Sequence, residues 1–108
     1  MITLDIIKEK IKYIFTRLVL LYYKIKLKLN NKNLELLLDM AVLYDSIGEK
    51  KRSEEFYINV LAVNDREARA YYGLATLYDD SGLYLDAIEY YKRAIEIDPL
   101  YSRAWFFL

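Results

Sequence analysis

Two stretches of this chain carry the same residue types at the same spacing, and that recurrence limits the possible folds more than any other feature. Moving residues 70–99 back by 34 sets Ala75, Leu77, Tyr78, Asp79, Gly82, Glu89 and Tyr91 on Ala41, Leu43, Tyr44, Asp45, Gly48, Glu55 and Tyr57 without a gap. Leu74 with Met40, Ala87 with Ser53, Ala94 with Val60, Ile95 with Leu61 and Ile97 with Val63 keep size and polarity in the same register. A fixed period of this length marks an array of supersecondary units, each burying its apolar face against its neighbour.

Each unit reads as two antiparallel helices, so the fold expected is all-α, built of stacked helix pairs. The spans are about 34–47 and 50–63, then 67–80 and 83–97, with Gly48 and Gly82 at the turns. Leu74, Leu77 and Tyr78 are placed on one face of their helix, opposite a stripe of Tyr84, Ile88, Tyr91 and Ile95. Ala75 and Ala87 stand where the two helices come closest, since a larger side chain there would overpack the contact. Asp98 and Pro99 stop the last helix.

Residues 1–33 lie upstream of the period and read as a basic, amphipathic helical arm or capping helix. Apolar residues from Ile2 to Tyr22 recur at spacings of three and four, and Leu18–Tyr23 is apolar all round, so that part needs to be buried. Lys24–Leu29 alternates strictly, a strand-like spacing that weakens the helical reading beyond Lys24. Residues 30–33 form a turn that ends on Asn33 as a helix N-cap. The arm holds eight basic and two acidic side chains, +6, whereas residues 34–108 sum to −6, although the whole 108-residue chain is neutral. Opposite charges favour docking of the arm on the body, even in the body's groove. The reading prefers an arm packed on the repeats, with an anionic membrane surface as the alternative partner. Lys12, Arg17 and Lys24 interrupt any membrane span, and no signal-peptide cleavage pattern follows.

Composition removes most chemistry. With no Cys and no His, the chain lacks disulfides, thiolate nucleophiles, the usual zinc ligands and the commonest general base. No glycine-rich phosphate loop or nucleophile motif is present, so neither catalytic residue nor cofactor is assigned. Asp45, Asp79 and Asp80 lack the oxygen-ligand spacing of a calcium loop and are read as solvated helix ends rather than a metal site. The twelve tyrosines are read as packing residues, and an acidic repeat body disfavours nucleic acid.

The order Tyr71, Leu74, Ala75, Tyr78, Gly82, Ala87, Tyr91, Ala94 and Pro99 resembles the tetratricopeptide repeat, with Tyr71 for the usual Trp and Ala75 for the usual Gly. Residues 34–67 are a weaker copy, with Leu37, Lys50, Ser53, Val60 and Asp65 at departing positions, and 102–108 open a third unit through Trp105 and Leu108. The resemblance implies a right-handed α-solenoid whose concave groove holds a peptide or protein segment, a cytoplasmic scaffold rather than an enzyme. Its groove positions map to Glu35, Leu38, Val42, Asp45 and Ser46, then Arg69, Tyr72, Thr76, Asp79 and Asp80, then Arg103 and Phe106. Family members that clamp a chaperone's terminal carboxylate use a Lys and an Asn where this chain has Leu38 and Val42, so that ligand is not expected. Apolar surface edged by acids favours an apolar or basic guest. Trp105, Phe106, Phe107 and Leu108 lack a covering helix in the sequence given, which makes self-association through that end a further expectation.

Overall fold

A computed structural model describes residues 3–30 and 32–100. Among these residues five helices follow one another: α1 (Leu4–Leu29), α2 (Leu34–Ser46), α3 (Lys50–Val63), α4 (Ala68–Asp80) and α5 (Tyr84–Ile97). The expectation of an all-α fold of helix pairs is met, with α2 packed on α3 and α4 on α5.

Local chemistry sets the helix ends. The Asn33 side chain accepts a hydrogen bond from the Leu36 amide at 3.1 Å and caps α2 as its position in the sequence predicts. Gly48 and Gly82 stand at φ +82° and +79°, a region that glycine enters without steric penalty. At the first, Gly48 N donates to Asp45 O and Glu49 N to Tyr44 O; at the second, Gly82 N donates to Asp79 O and Leu83 N to Tyr78 O. Both pairs are Schellman closures, so the structural period repeats the sequence period down to single hydrogen bonds.

Small residues bring the paired helices together. Ala75 and Ala87 are buried against each other's cluster with Tyr71, Tyr91 and Ala94. In the first unit Ser53 occupies the place of Ala87 and is fully buried, and its hydroxyl donates to Ala41 O at 2.7 Å. That bond satisfies the extra oxygen and lets a serine serve as an alanine. Tyr84, expected in the facing stripe of α5, is instead exposed at the first turn; the buried line is Ala87, Tyr91 and Ala94, with Ile88, Tyr90 and Ile95 partly covered.

Tyr44 is buried at the junction of α1, α2 and α3, its ring stacked on Phe56 at 5.3 Å between centroids. Among the described residues its hydroxyl has no hydrogen-bond partner. Tyr44→Phe is therefore expected to raise the unfolding free energy by about 1–2 kcal/mol, measured by urea denaturation. A lower midpoint would contradict this.

The arm is one continuous helix through Leu29. The alternating stretch stays helical because a helix already nucleated upstream propagates cheaply through Lys and Leu, and among the described residues no strand is at hand to pair with it. Only Thr16 and Leu20 of α1 are buried, with Val19, Tyr23 and Leu27 partly covered, all on the face turned to Leu36, Met40 and Tyr44. Arg17 reaches Glu49 at 2.9 Å. The expectation that Leu18–Tyr23 would be buried all round is not met: Leu18, Leu21 and Tyr22 remain more than half exposed. One neighbouring helix covers only one side of a cylinder.

Candidate binding groove

Helices α2 and α4 lie side by side, and a hollow of about 260 Å³ opens between them. Glu35, Leu38, Asp39 and Val42 line it from α2, Arg69, Tyr72, Gly73 and Thr76 from α4, and Tyr57 reaches in from α3. Six residues named from the sequence thus come together: Glu35, Leu38, Val42, Arg69, Tyr72 and Thr76. Val42 presents half of its surface to solvent, whereas Leu38 is buried in the first core cluster and forms the floor. The Thr76 hydroxyl donates to Gly73 O at 2.8 Å, leaving its methyl group to the hollow. None of the described residues of the arm lines this hollow.

One rim is an ion cluster. Arg69 donates through both terminal nitrogens to Glu35, at 3.1 and 2.7 Å, and through Nε to Glu67 at 2.8 Å. Glu35 and Arg69 are the same position in successive repeats, so the fork ties the two units together across the groove mouth. Hydrogen bonding to Arg69 holds both carboxyls below their ordinary value and raises the guanidinium further above its own. Asp39 lines the same hollow, so three carboxylates and one guanidinium surround it and the charge there is net negative.

The remaining sequence-named acids lie beyond the hollow. Lys50 Nζ bonds to Asp45 and stands 3.3 Å from Asp80 Oδ2, and its pKa is raised, chiefly by the bond to Asp45. Asp79 Oδ2 accepts from the Tyr91 hydroxyl at 3.5 Å, and burial more than this contact raises that phenol. Asp45, Asp79 and Asp80 therefore form a second, partly neutralised edge where α2 and α4 end. Among the described residues no group of three acids is placed to hold a metal ion. Ser46 faces away, lining a hollow of about 680 Å³ between the end of α2 and the first half of α1. Arg103, Phe106 and the expected third unit, 102–108, lie outside the described residues.

The sequence reading missed Asp39, Tyr57 and Gly73. The signal for the last two was present: a glycine inside a helical pattern marks a close approach, and Tyr57 is the counterpart of the buried Tyr91. A Cβ on Gly73 would fall inside the Tyr57 ring's contact surface, 2.7 Å from Cε2 and nearer still to Cζ and Cε1.

The family model described as tetratricopeptide repeat matches residues 68–101. No curated protein matches the chain. Among solved structures, YrrB, a TPR protein with an unusual peptide-binding site, superposes with a TM-score of 0.74 at 22% identity, covering 80% of this chain and 44% of its own. A MamA structure gives 0.72 at 23% identity, covering 82% and 48%, and a second MamA structure 0.51 at 27%, covering 80% and 70%. The chain spans less than half the length of YrrB and of the first MamA structure. Residues 68–101 thus match the tetratricopeptide repeat, and the likenesses to solved structures show the same fold of stacked helix pairs over most of the chain.

Proposed function

We propose that the chain is a non-catalytic interaction module that takes an apolar segment bearing a basic residue in the groove between α2 and α4. The observation that carries this reading is the groove's make-up: Leu38 and Tyr57 as floor, Val42, Tyr72 and Thr76 as walls, and a net negative rim of Glu35, Asp39, Glu67 and Arg69. Such a surface rewards an apolar side chain in the hollow and a Lys or Arg at its edge. The likeness to YrrB, a protein with a peptide-binding site, supports the same class of ligand.

The test is an array of peptides combining Leu, Phe or Tyr with Lys or Arg, followed by fluorescence anisotropy on the best binder. Val42→Arg places a cation beside the rim at an exposed position, and about a tenfold or larger loss of affinity is expected, the cost of one misplaced charge. Lys51→Ala, on the exposed side of α3, is the control and is expected to leave affinity unchanged. An array without binders, or a peptide insensitive to Val42→Arg, would sink the proposal.

A further inference from the structure

Helix α1 is apolar on two sides, and the repeats use only one of them. Its 26 residues span about 39 Å at the usual rise, twice the length of the 13-residue α2 beneath it. Residues 3–15 are exposed throughout, so the first half of the helix overhangs the repeats. Leu4, Ile7, Ile11, Ile14, Leu18 and Leu21 follow one another at spacings of three and four along the side turned away from α2, each more than two-fifths exposed, with Ile14 at the margin of the hollow beneath the overhang. Ile25 continues the line, and Phe15 and Tyr22 widen it. Nine large, exposed side chains in one stripe form the kind of contiguous apolar patch that marks an interaction surface.

Charge decides what covers the stripe. At 100° per residue Lys10, Lys24 and Lys28 run along one edge and Lys8 and Lys26 along the other, and none has a carboxylate partner among the described residues. Asp5 and Glu9, the helix's two acids, fall on the opposite side, where they line the hollow beneath the overhang. Lys26 lies over the Tyr22 ring at 5.0 Å, its stem along apolar surface and its ammonium at the edge. A second copy of the helix would set these lysine rows against each other. Anionic headgroups would pair with all of them while the stripe enters the acyl boundary. The −6 repeats behind the arm would be held off the same surface, which fixes the orientation.

We propose that the free face of α1 is an interfacial membrane-binding surface, lying in the plane of an anionic bilayer with the repeats turned outward. No helix among the described residues is long and apolar enough to cross a membrane, and none is required to. The proposal is independent of what the groove holds.

The experiment is flotation of the full chain with phosphatidylcholine vesicles and with mixed phosphatidylcholine and phosphatidylserine vesicles, at low and high salt. Binding is expected only to the anionic vesicles, weakening at high salt. The double variant Ile11→Asn, Leu18→Asn is expected to reduce it about tenfold or more while circular dichroism stays helical, because neither side chain is buried. Absence of flotation at low salt, equal uptake by neutral vesicles, or unchanged binding of the double variant each overturns the proposal. Lipid-free sedimentation giving a dimer that the double variant dissociates would also overturn it and assign the stripe to a second copy.

Discussion

Tyr57→Ala is expected to lower the unfolding free energy by about 3–5 kcal/mol, and in that background Gly73→Ala is expected to change sign. The Tyr57 ring is buried in the core cluster that joins α2, α3 and α4, lying directly on the α4 backbone at Gly73. Removing it leaves a cavity that three helices frame, at a cost comparable with a third or more of the ~5–15 kcal/mol that holds a domain folded. Gly73→Ala alone drives a methyl group into the ring. The overpacking costs about 1–3 kcal/mol, and a helix-propensity gain of about 1 kcal/mol offsets only part of it. Once the ring is gone the clash goes with it and only the gain remains, so the second substitution stabilises. Denaturant titration of the four proteins closes the cycle. Additive effects would show that ring and backbone do not meet as described.

Leu20→Ala is the second substitution with a large expected effect, and its effect is local. Leu20 is one of only two buried residues on α1 and lies in a cluster with Leu36, Met40 and Tyr44. Its truncation is expected to cost about 2–5 kcal/mol, more than the remaining contacts of a half-covered helix supply, so α1 detaches while α2–α5 stay folded. Amide exchange should then reach fast, coil-like rates from Leu4 to Leu29 and stay slow in the repeats. Unchanged protection in α1 would mean that Thr16, Val19, Tyr23, Leu27 and the Arg17–Glu49 pair hold the arm without Leu20.

The groove was legible in part for a physical reason. The resemblance supplied the groove positions; Glu35 with Val42 and Arg69 with Thr76 lie seven residues apart on one helix face each, and the repeat places the two faces side by side. Asp45, Asp79 and Asp80 share those faces too, yet Lys50 bridges two of them from the start of α3, and no spacing within α2 or α4 contains that information. Leu38 was named through the resemblance to the family's groove positions and is buried because a neighbouring helix covers it. Tyr84 shares the angle of the buried Tyr91 on α5, yet it stands at the first residue of the helix and is exposed there.

What the amino-acid sequence determined by itself were the features closed within a turn or two of chain: the Asn33 cap, the Schellman turns at Gly48 and Gly82, the small residues at helix contacts and the 34-residue period. These depend on bonds between residues a few positions apart, so composition and spacing express them directly. Only the tertiary structure decided which side of α1 is covered, where Lys50 points and that Tyr57 rests on Gly73. Those outcomes depend on the relative length and tilt of helices that meet across the chain. A 13-residue helix can bury one face of half of a 26-residue one, and the rest of α1 is left to whatever else it meets.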